Sequence, residues 1–273
     1  MAQVEMIQQT LDTRTRKWWF FVGVIGLSYI LVPFASKNFS VLRFMNILFT
    51  TLGNSFYYHC KPIYPALQII AIIMFLLLVL FRSKMSKIFC IYAAICYVLF
   101  NVQSVAVTEK YGLSIVTFNI FAFNLVAASW GWEAVASRND FSKIRQPYWK
   151  YIVVAAAIFA FWLPISPKTG GPDFKLIYFL TSGSALTFCL MTPVFMAVLI
   201  FFYPAVNFVT LRVTGLIGTG IGLANVIPKL ILRMYSTWWD GFLHLPLLIL
   251  SIIGMVLSMK TVPNRENLLT IKT

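Results

Sequence analysis

The sequence predicts an all-α fold, that of a polytopic helical membrane protein, from its composition and from the length of its apolar runs. Hydrophobic residues make up 60% of the 273 residues and charged residues only 11%, whereas a soluble domain has about 25% charged residues. The apolar residues form runs near the spanning length of about 20 residues. These runs do not alternate as barrel strands do, and a helix satisfies its own backbone hydrogen bonds in lipid.

We predict eight transmembrane helices, one for each apolar run. The runs are residues 18–35, 63–81, 88–107, 113–137, 149–165, 176–203, 213–232 and 241–259. They would form a single bundle over residues 18–259, between a cytoplasmic segment (1–17) and a cytoplasmic tail (260–273). Tryptophans at the run ends, such as Trp18, Trp19 and Trp149, fit the aromatic belts of membrane interfaces.

The distribution of basic residues predicts the orientation of this bundle. When the gaps between runs are assigned to alternate sides, 14 of the 22 Lys and Arg residues fall on one side and 8 on the other. Cytoplasmic loops carry the excess of Lys and Arg. We therefore expect both termini on the cytoplasmic side of a plasma (inner) membrane. The net charge of +14 then belongs to loops beside lipid headgroups, and nucleic acid is not an expected partner.

Residues 40–58 form an additional amphipathic pattern whose placement decides the topology. The polar residues of this segment share one helical stripe and are Arg43, Asn46, Thr50 and Asn54. Such a helix either lies flat in the outer interface or crosses the bilayer with its polar stripe facing the bundle. Crossing would move the later basic loops outside, so the charge distribution favours an amphipathic outer-face helix.

The seventh run carries a periodic set of small and polar residues. Gly218, Gly222, Asn225 and Lys229 recur at steps of four, three and four and therefore share one helix face. The two glycines are best explained by close packing of a neighbouring helix. Asn225 and Lys229 extend the face with polarity that packing does not need, beside Pro228. This pattern predicts a ligand-binding pocket that opens outward; the alternative is that Lys229 snorkels to the interface.

Glu133 is a second candidate ligand-binding residue, because it is the one charged residue between Lys110 and Arg138. A carboxylate within a membrane span is a functional candidate by default, since burying its charge costs several kcal/mol, about 3 on insertion scales. The competing interpretation is structural. Glu133 lies near the predicted cytoplasmic end of its run, where it could reach the interface or pair with Arg138.

The remaining candidates gather on the predicted outer side, where His59, His244, Asp240 and Arg43 all fall. The two histidines lack the paired spacing of a haem or metal site, so the sequence names no metal and leaves the cofactor unknown. The basic residues exceed their acidic partners on this side. This excess favours an anionic or lipid-like ligand, with Asp240 and Asp173 as the expected partners of a buried Lys229.

Three functions remain open from the sequence. The first is a protein that binds or transports a small solute or amphiphile through an outward-facing polar cavity. The second is a non-catalytic membrane subunit of a larger complex, with a membrane protein as its partner besides the lipid bilayer. The third, an intramembrane enzyme at the outer leaflet, rests only on His59, His244 and Asp240, and motifs that name a reaction are missing from the sequence.

Overall fold

The computed structural model describes residues 2–142, 146–232 and 238–260. Of these described residues, 76% are helical, which confirms the all-α class. The basic residues Lys143 and Arg145 and the predicted tail beyond Lys260 lie outside the described residues.

The described residues form twelve α-helices. They are α1 (Ala2–Arg16), α2 (Trp18–Ile30), α3 (Phe44–Gly53), α4 (Tyr64–Phe81), α5 (Ser86–Leu99), α6 (Thr117–Ala136), α7 (Trp149–Trp162), α8 (Tyr178–Thr181), α9 (Phe188–Phe202), α10 (Phe208–Val226), α11 (Trp238–Leu243) and α12 (Leu245–Met259). Short 3-10 turns (Val41–Arg43, Phe56–Ile63, Arg82–Met85, Phe100–Ser104 and Ser184–Leu186) and one π-helical turn (Ile227–Ile231) connect or extend them.

Three short strands form a small antiparallel sheet at one end of the bundle. The strands are β1 (Phe34–Ala35), β2 (Val105–Thr108) and β3 (Gly112–Ile115), in the order β1-β3-β2. Gly112 takes a left-handed backbone conformation (φ +61°) at the tight turn between β2 and β3, where glycine has no steric cost. We call this end the cap end, and the opposite end, where α1 packs, the α1 end.

Side-chain contacts at the cap end join the helix termini that meet there. Thr117, at the start of α6, donates a hydrogen bond to the carbonyl of Leu31, just after α2 (2.9 Å). Trp162, at the end of α7, donates to the carbonyl of Lys175, just before α8 (3.0 Å). Both pairs connect chain segments that the alternating assignment had placed on one side.

Contacts at the α1 end join the opposite termini. Ser86, at the start of α5, donates to the carbonyl of Asn139, after α6 (3.0 Å). Lys150, at the start of α7, donates to the carbonyl of Tyr203, after α9 (2.7 Å). Among the described residues, the apolar helices α2, α4, α5, α6, α7, α9, α10 and α12 therefore run alternately between the two ends.

Within the described residues, however, the number of helices that are both long and apolar enough to cross a membrane is three, or up to four, rather than eight. They are Phe56–Ser104, Phe208–Ile231 and Trp238–Met259, with the bent pair Tyr178–Leu186 and Phe188–Phe202 as the fourth. The first stretch is a hairpin of α4 and α5, because the chain reverses at Arg82 (φ 53°) and the 3-10 turns at its two ends are in contact.

The other predicted spans are shorter or more polar than their sequence runs suggested. Helix α2 ends at Ile30 and α7 at Trp162, each shortly before a proline, Pro33 and Pro164. Proline disfavours the helical conformation of the residue before it. The run 176–203 is broken by a bend of 89° between its two helices. The eight-span count is thus not shown, although the corresponding apolar helices exist.

The segment 40–58 begins and ends at the cap end. On its N-terminal side Ala35 pairs with Ser114, and near its C-terminal end Ser55 bridges Ala106, so both flanks join the same sheet. Between them α3 buries Ile47 and Thr51. The segment therefore begins and ends at one end of the bundle and does not traverse it.

The core between the ends is built from aromatic side chains. Phe89 contacts Trp130 and Phe195 in edge-to-face geometry, with ring centroids 6.1 and 5.9 Å apart respectively. All three are fully buried. Such quadrupole-favoured contacts fix α5, α6 and α9 against one another.

Helices α10 and α12 pack at backbone distance. An added Cβ atom on Gly215 would lie 2.8 Å from the carbonyl oxygen of Ser251, and one on Gly222 would lie 3.0 Å from the Cα atom of Leu248. Gly218 also faces Ser251. The close-packing role predicted for Gly218 and Gly222 is therefore what the structure has.

Candidate functional site

The cap end of α10 carries a compact cluster of charged and polar side chains. The Lys229 ammonium contacts the Asp240 carboxylate at 2.6 Å and donates to the Asn225 side-chain oxygen at 3.0 Å. The His244 ring nitrogen Nδ1 lies 2.7 Å from the Asp240 carbonyl oxygen and 3.8 Å from its carboxylate. We call these four residues, Asn225, Lys229, Asp240 and His244, the cap-end cluster.

Local sequence explains how these residues come together. Pro228 has no N–H group, and the chain widens around it into the π-helical turn Ile227–Ile231. Gly241 allows α11 to approach this turn closely, since an added Cβ atom there would lie 2.9 Å from the Cβ of Lys229. π-Helical turns occur frequently at functional sites.

The cluster is shielded but not sealed. The side chain of Lys229 is 24% exposed and that of Asp240 is 31% exposed. Asp240 is held on α11, which Trp239 fastens to the rest of the cap by donating to the carbonyl of Pro164 (2.7 Å). The ion pair is therefore reachable from the cap end, and α11 is the element that would move if Asp240 left Lys229.

The structure brings half of the predicted ligand-binding residues into this cluster. Arg43 and Asn46 are exposed: Arg43 ends the 3-10 turn before α3, and Asn46 lies on α3, which packs on the sheet. His59 is exposed in the 3-10 turn Phe56–Ile63, with its ring against Phe56. Asp173, the other expected partner of Lys229, instead pairs with Lys175 (3.2 Å), and the Tyr178 hydroxyl, then Lys175, lower the pKa of Asp173.

Glu133 belongs to a separate network at the α1 end. It is 1% exposed and accepts hydrogen bonds from the Asn139 backbone N–H and from the Asn207 side-chain amide, both at 2.6 Å. The Asn139 side-chain oxygen in turn accepts from the Asn207 N–H at 2.7 Å. Arg138, its expected partner, forms an ion pair with Glu5. Glu133 therefore fastens the loop after α6 to the start of α10.

Arg212 is a second buried charge at the α1 end, and the sequence patterns had placed it among loop cations. Its side chain is 0% exposed. Its guanidinium donates to the Asp12 carboxylate (3.0 Å), the Thr15 hydroxyl (2.7 Å) and the Ser258 carbonyl (2.7 Å). Two of these three partners lie on α1.

Gln68 is a further buried polar residue that the sequence patterns did not single out. Its side-chain amide donates to the Ser182 and Ser184 hydroxyls (both 2.7 Å), and its oxygen accepts from the Ala185 N–H (3.1 Å). This places the Ser-rich break between α8 and α9 in a structural role. The sequence feature that could have identified this residue is its position as a single glutamine within the apolar run 63–81.

Within the described residues, no group of three or more His, Cys, Asp and Glu side chains is placed to hold a metal ion. The chain matches no known protein family, and neither the curated proteins nor the solved structures compared with it include a significant match. The geometry of the cap-end cluster and of the buried polar groups around Glu133, Arg212 and Gln68 is therefore the basis for any functional inference.

Proposed function

We propose that the protein is a multi-pass membrane protein that binds or transports a small solute or amphiphile. The ligand would carry an anionic group, which would bind at the cap-end cluster. The observation that carries this proposal is the 2.6 Å ion pair between Lys229 and Asp240 at the π-helical end of α10. Ionisable residues in membrane helices mark ligand and ion pathways by default.

The exposed surface supports insertion into a bilayer. Helix α4 exposes an apolar face that includes Ile73, Leu76, Val79 and Leu80, and α2 exposes Val22 and Ile25. Soluble monomers rarely expose apolar patches of this extent. We propose that all eight alternating apolar helices cross the membrane, with the α1 end in the cytoplasm.

Binding would proceed by exchange of one anion for another. In the present arrangement the Asp240 carboxylate neutralises Lys229. An incoming phosphate or carboxylate group would take that place on the ammonium, with Asn225 as a neighbouring amide partner, while Asp240 moves with α11. Because the departing carboxylate competes with the ligand, removal of the Asp240 charge should tighten anion binding.

The proposal predicts opposite effects for two substitutions in the cluster. In phosphatidylcholine nanodiscs, 20 mol% phosphatidylglycerol or added inorganic phosphate should raise the unfolding temperature of the wild-type chain. Ligand at about 100 times its Kd stabilises by about 2.7 kcal/mol. Lys229→Met should abolish this ligand-dependent increase, whereas Asp240→Asn should reach it at lower ligand concentration.

Lys175→Met is the matched control, because Lys175 is also a cap-end lysine paired with an aspartate. It should respond to ligand as the wild-type chain does. A response to phosphatidylglycerol alone identifies a lipid headgroup, and a response to phosphate identifies a soluble solute. Equal responses of Lys229→Met and the wild-type chain to both ligands would contradict the proposal.

A non-catalytic membrane subunit is the second candidate function. A shallow groove of about 420 Å³ lies between α5 and α6. Its lining consists of three alanines, the exposed Asn124 and the aliphatic residues Ile95, Val98 and Leu99. Small residues and a polar amide are what membrane helices use to associate. Purification from native membranes that yields a stoichiometric partner protein would favour this candidate.

The proposed orientation predicts the outcome of two labelling experiments. Reporters fused to either terminus should report from the cytoplasm, because Lys and Arg are concentrated at the α1 end. Single cysteines at Arg43, Asn46 and Asn54 should react with an impermeant thiol reagent added outside, and a cysteine at the buried Ile47 should not. A C-terminal reporter on the outer side, or uniform protection along α3, would contradict this topology.

A further inference from the structure

Helix α1 is attached to the bundle mainly by polar side chains, and its half-buried Leu11 packs against the core. Gln8 and the side chain of Asn207 exchange two hydrogen bonds (3.0 and 3.1 Å), and Gln8 also accepts from the Trp132 indole N–H (2.7 Å). Asp12 and Thr15 contact Arg212. Thr15 is the one buried residue on α1. Since the apolar side chains of α1 are at most half-buried, separation of this helix exposes only a small additional apolar area.

The two members of the Asp12–Arg212 pair differ sharply in exposure. The Arg212 side chain is 0% exposed, and the Asp12 side chain is 35% exposed. Among the described residues, Asp12 is the one carboxylate in contact with Arg212. The Nε atom of Arg212 is buried and has no hydrogen-bond partner in this part of the chain. The cation is fixed in the bundle, and its counter-charge is supplied from outside by α1.

Departure of α1 alone would be unfavourable. It would leave the Arg212 guanidinium in the bundle with the Ser258 carbonyl as its remaining partner, and an uncompensated buried charge is strongly destabilising. A second anion that replaced Asp12 would remove this penalty. The chain between α1 and α2 permits the movement, because Lys17 is an exposed, extended residue at the junction of the two helices.

From this arrangement we infer a carboxylate-binding site at Arg212 that α1 occupies in the present conformation, with Asp12 in the place of the ligand. The ligand carboxylate would accept from the Arg212 Nη2 that now donates to Asp12 and from the Nη1 that now donates to Thr15. Arginine suits this role because its planar guanidinium matches a carboxylate with two parallel donors. Ligand binding and α1 docking are then mutually exclusive.

This inference does not rest on the proposed function, since it concerns the opposite end of α10. Arg212 and Lys229 are 17 residues apart, which is about 25 Å along a helix with a rise of 1.5 Å per residue. Hydrogen exchange resolved by peptide can therefore report the two sites separately. Failure at the cap-end cluster would leave the α1 readout unchanged.

The test is hydrogen-exchange mass spectrometry of the full chain in phosphatidylcholine nanodiscs, titrated with succinate against sodium chloride of equal ionic strength. Succinate should increase exchange in residues 2–16 of the wild-type chain, saturably and by about tenfold, as expected for a competitor that displaces a docked segment. Thr15→Val keeps Arg212 but weakens docking, so it should lower the succinate concentration needed for half the effect.

Arg212→Gln should lose the succinate response, and Arg138→Gln should keep it, because Arg138 pairs with Glu5 at the same end. Equal effects of succinate and chloride on residues 2–16 would overturn the inference. So would a succinate response that survives in Arg212→Gln, or one that Thr15→Val leaves unchanged. A stronger response to inorganic phosphate than to succinate would overturn the assignment to carboxylates.

Discussion

Gly215→Val is expected to destabilise the protein by about 3 kcal/mol or more, the upper range for overpacking a close-packed core. The Cβ of the new side chain would lie 2.8 Å from the Ser251 carbonyl oxygen and 3.0 Å from the Met255 backbone nitrogen. Both are backbone atoms, which cannot rotate away. Helices α10 and α12 must therefore separate, and the thermal unfolding midpoint in detergent should fall by many degrees.

Gly220→Val is the matched control, because Gly220 lies on the same helix and an added Cβ there would meet nothing within 4 Å. This variant changes intrinsic helix propensity alone and should stay within about 1 kcal/mol of the wild-type chain. Equal midpoints for the two variants would show that α10 and α12 do not pack as described.

Gly218 and Lys229 illustrate what the sequence could predict. Both belong to a pattern with helical spacing on α10, and spacing alone identifies which residues share a face. The partner that Lys229 selects, Asp240, was one of two candidates. The sequence places both aspartates on the same side. It does not indicate that Asp240, on α11, lies closer than Asp173 to the Lys229 ammonium.

The strands of the cap show why several helix ends were predicted wrongly. Residues 34–35, 105–107 and 113–115 continue apolar runs, so hydrophobicity assigned them to spans, yet they belong to β1, β2 and β3. An apolar run does not distinguish a helix end from a short buried strand. The pairing that decides between them, such as Phe34 with Ile115, joins residues far apart in sequence.

The contacts of α1 were also beyond sequence patterns. Residues 1–17 are polar and were assigned only to a cytoplasmic segment, whereas residues 2–16 form a helix. Its attachment depends on Arg212 and Asn207, which lie about 200 residues away. Arg212 counts as a loop cation in any charge tally. Its burial follows from the packing of α1, α10 and α12 together, and the sequence around Arg212 does not predict it.

Glu133→Leu is expected to destabilise the protein by about 1–3 kcal/mol, the range for leaving a buried donor without its acceptor. The leucine fills similar space but leaves the Asn139 N–H and the Asn207 side-chain amide, both bonded at 2.6 Å in the wild-type chain, without this acceptor. The Asn207 amide keeps the Gln8 side-chain oxygen as an acceptor (3.1 Å), so the Asn139 N–H is the donor that carries the full cost of desolvation. Thermal and denaturant unfolding in detergent should both report the loss.

Two further variants separate this effect from a simple change of charge. Glu5→Gln removes a carboxylate whose side chain is 50% exposed, in its ion pair with Arg138. It should cost at most about 1 kcal/mol, as exposed pairs do. Glu133→Gln keeps an acceptor oxygen for one of the two donors and should fall between the other variants. If Glu133→Leu is no less stable than Glu5→Gln, then Glu133 does not hold the loop after α6 to α10. In that case its burial would point to the ligand-binding role that the sequence first suggested.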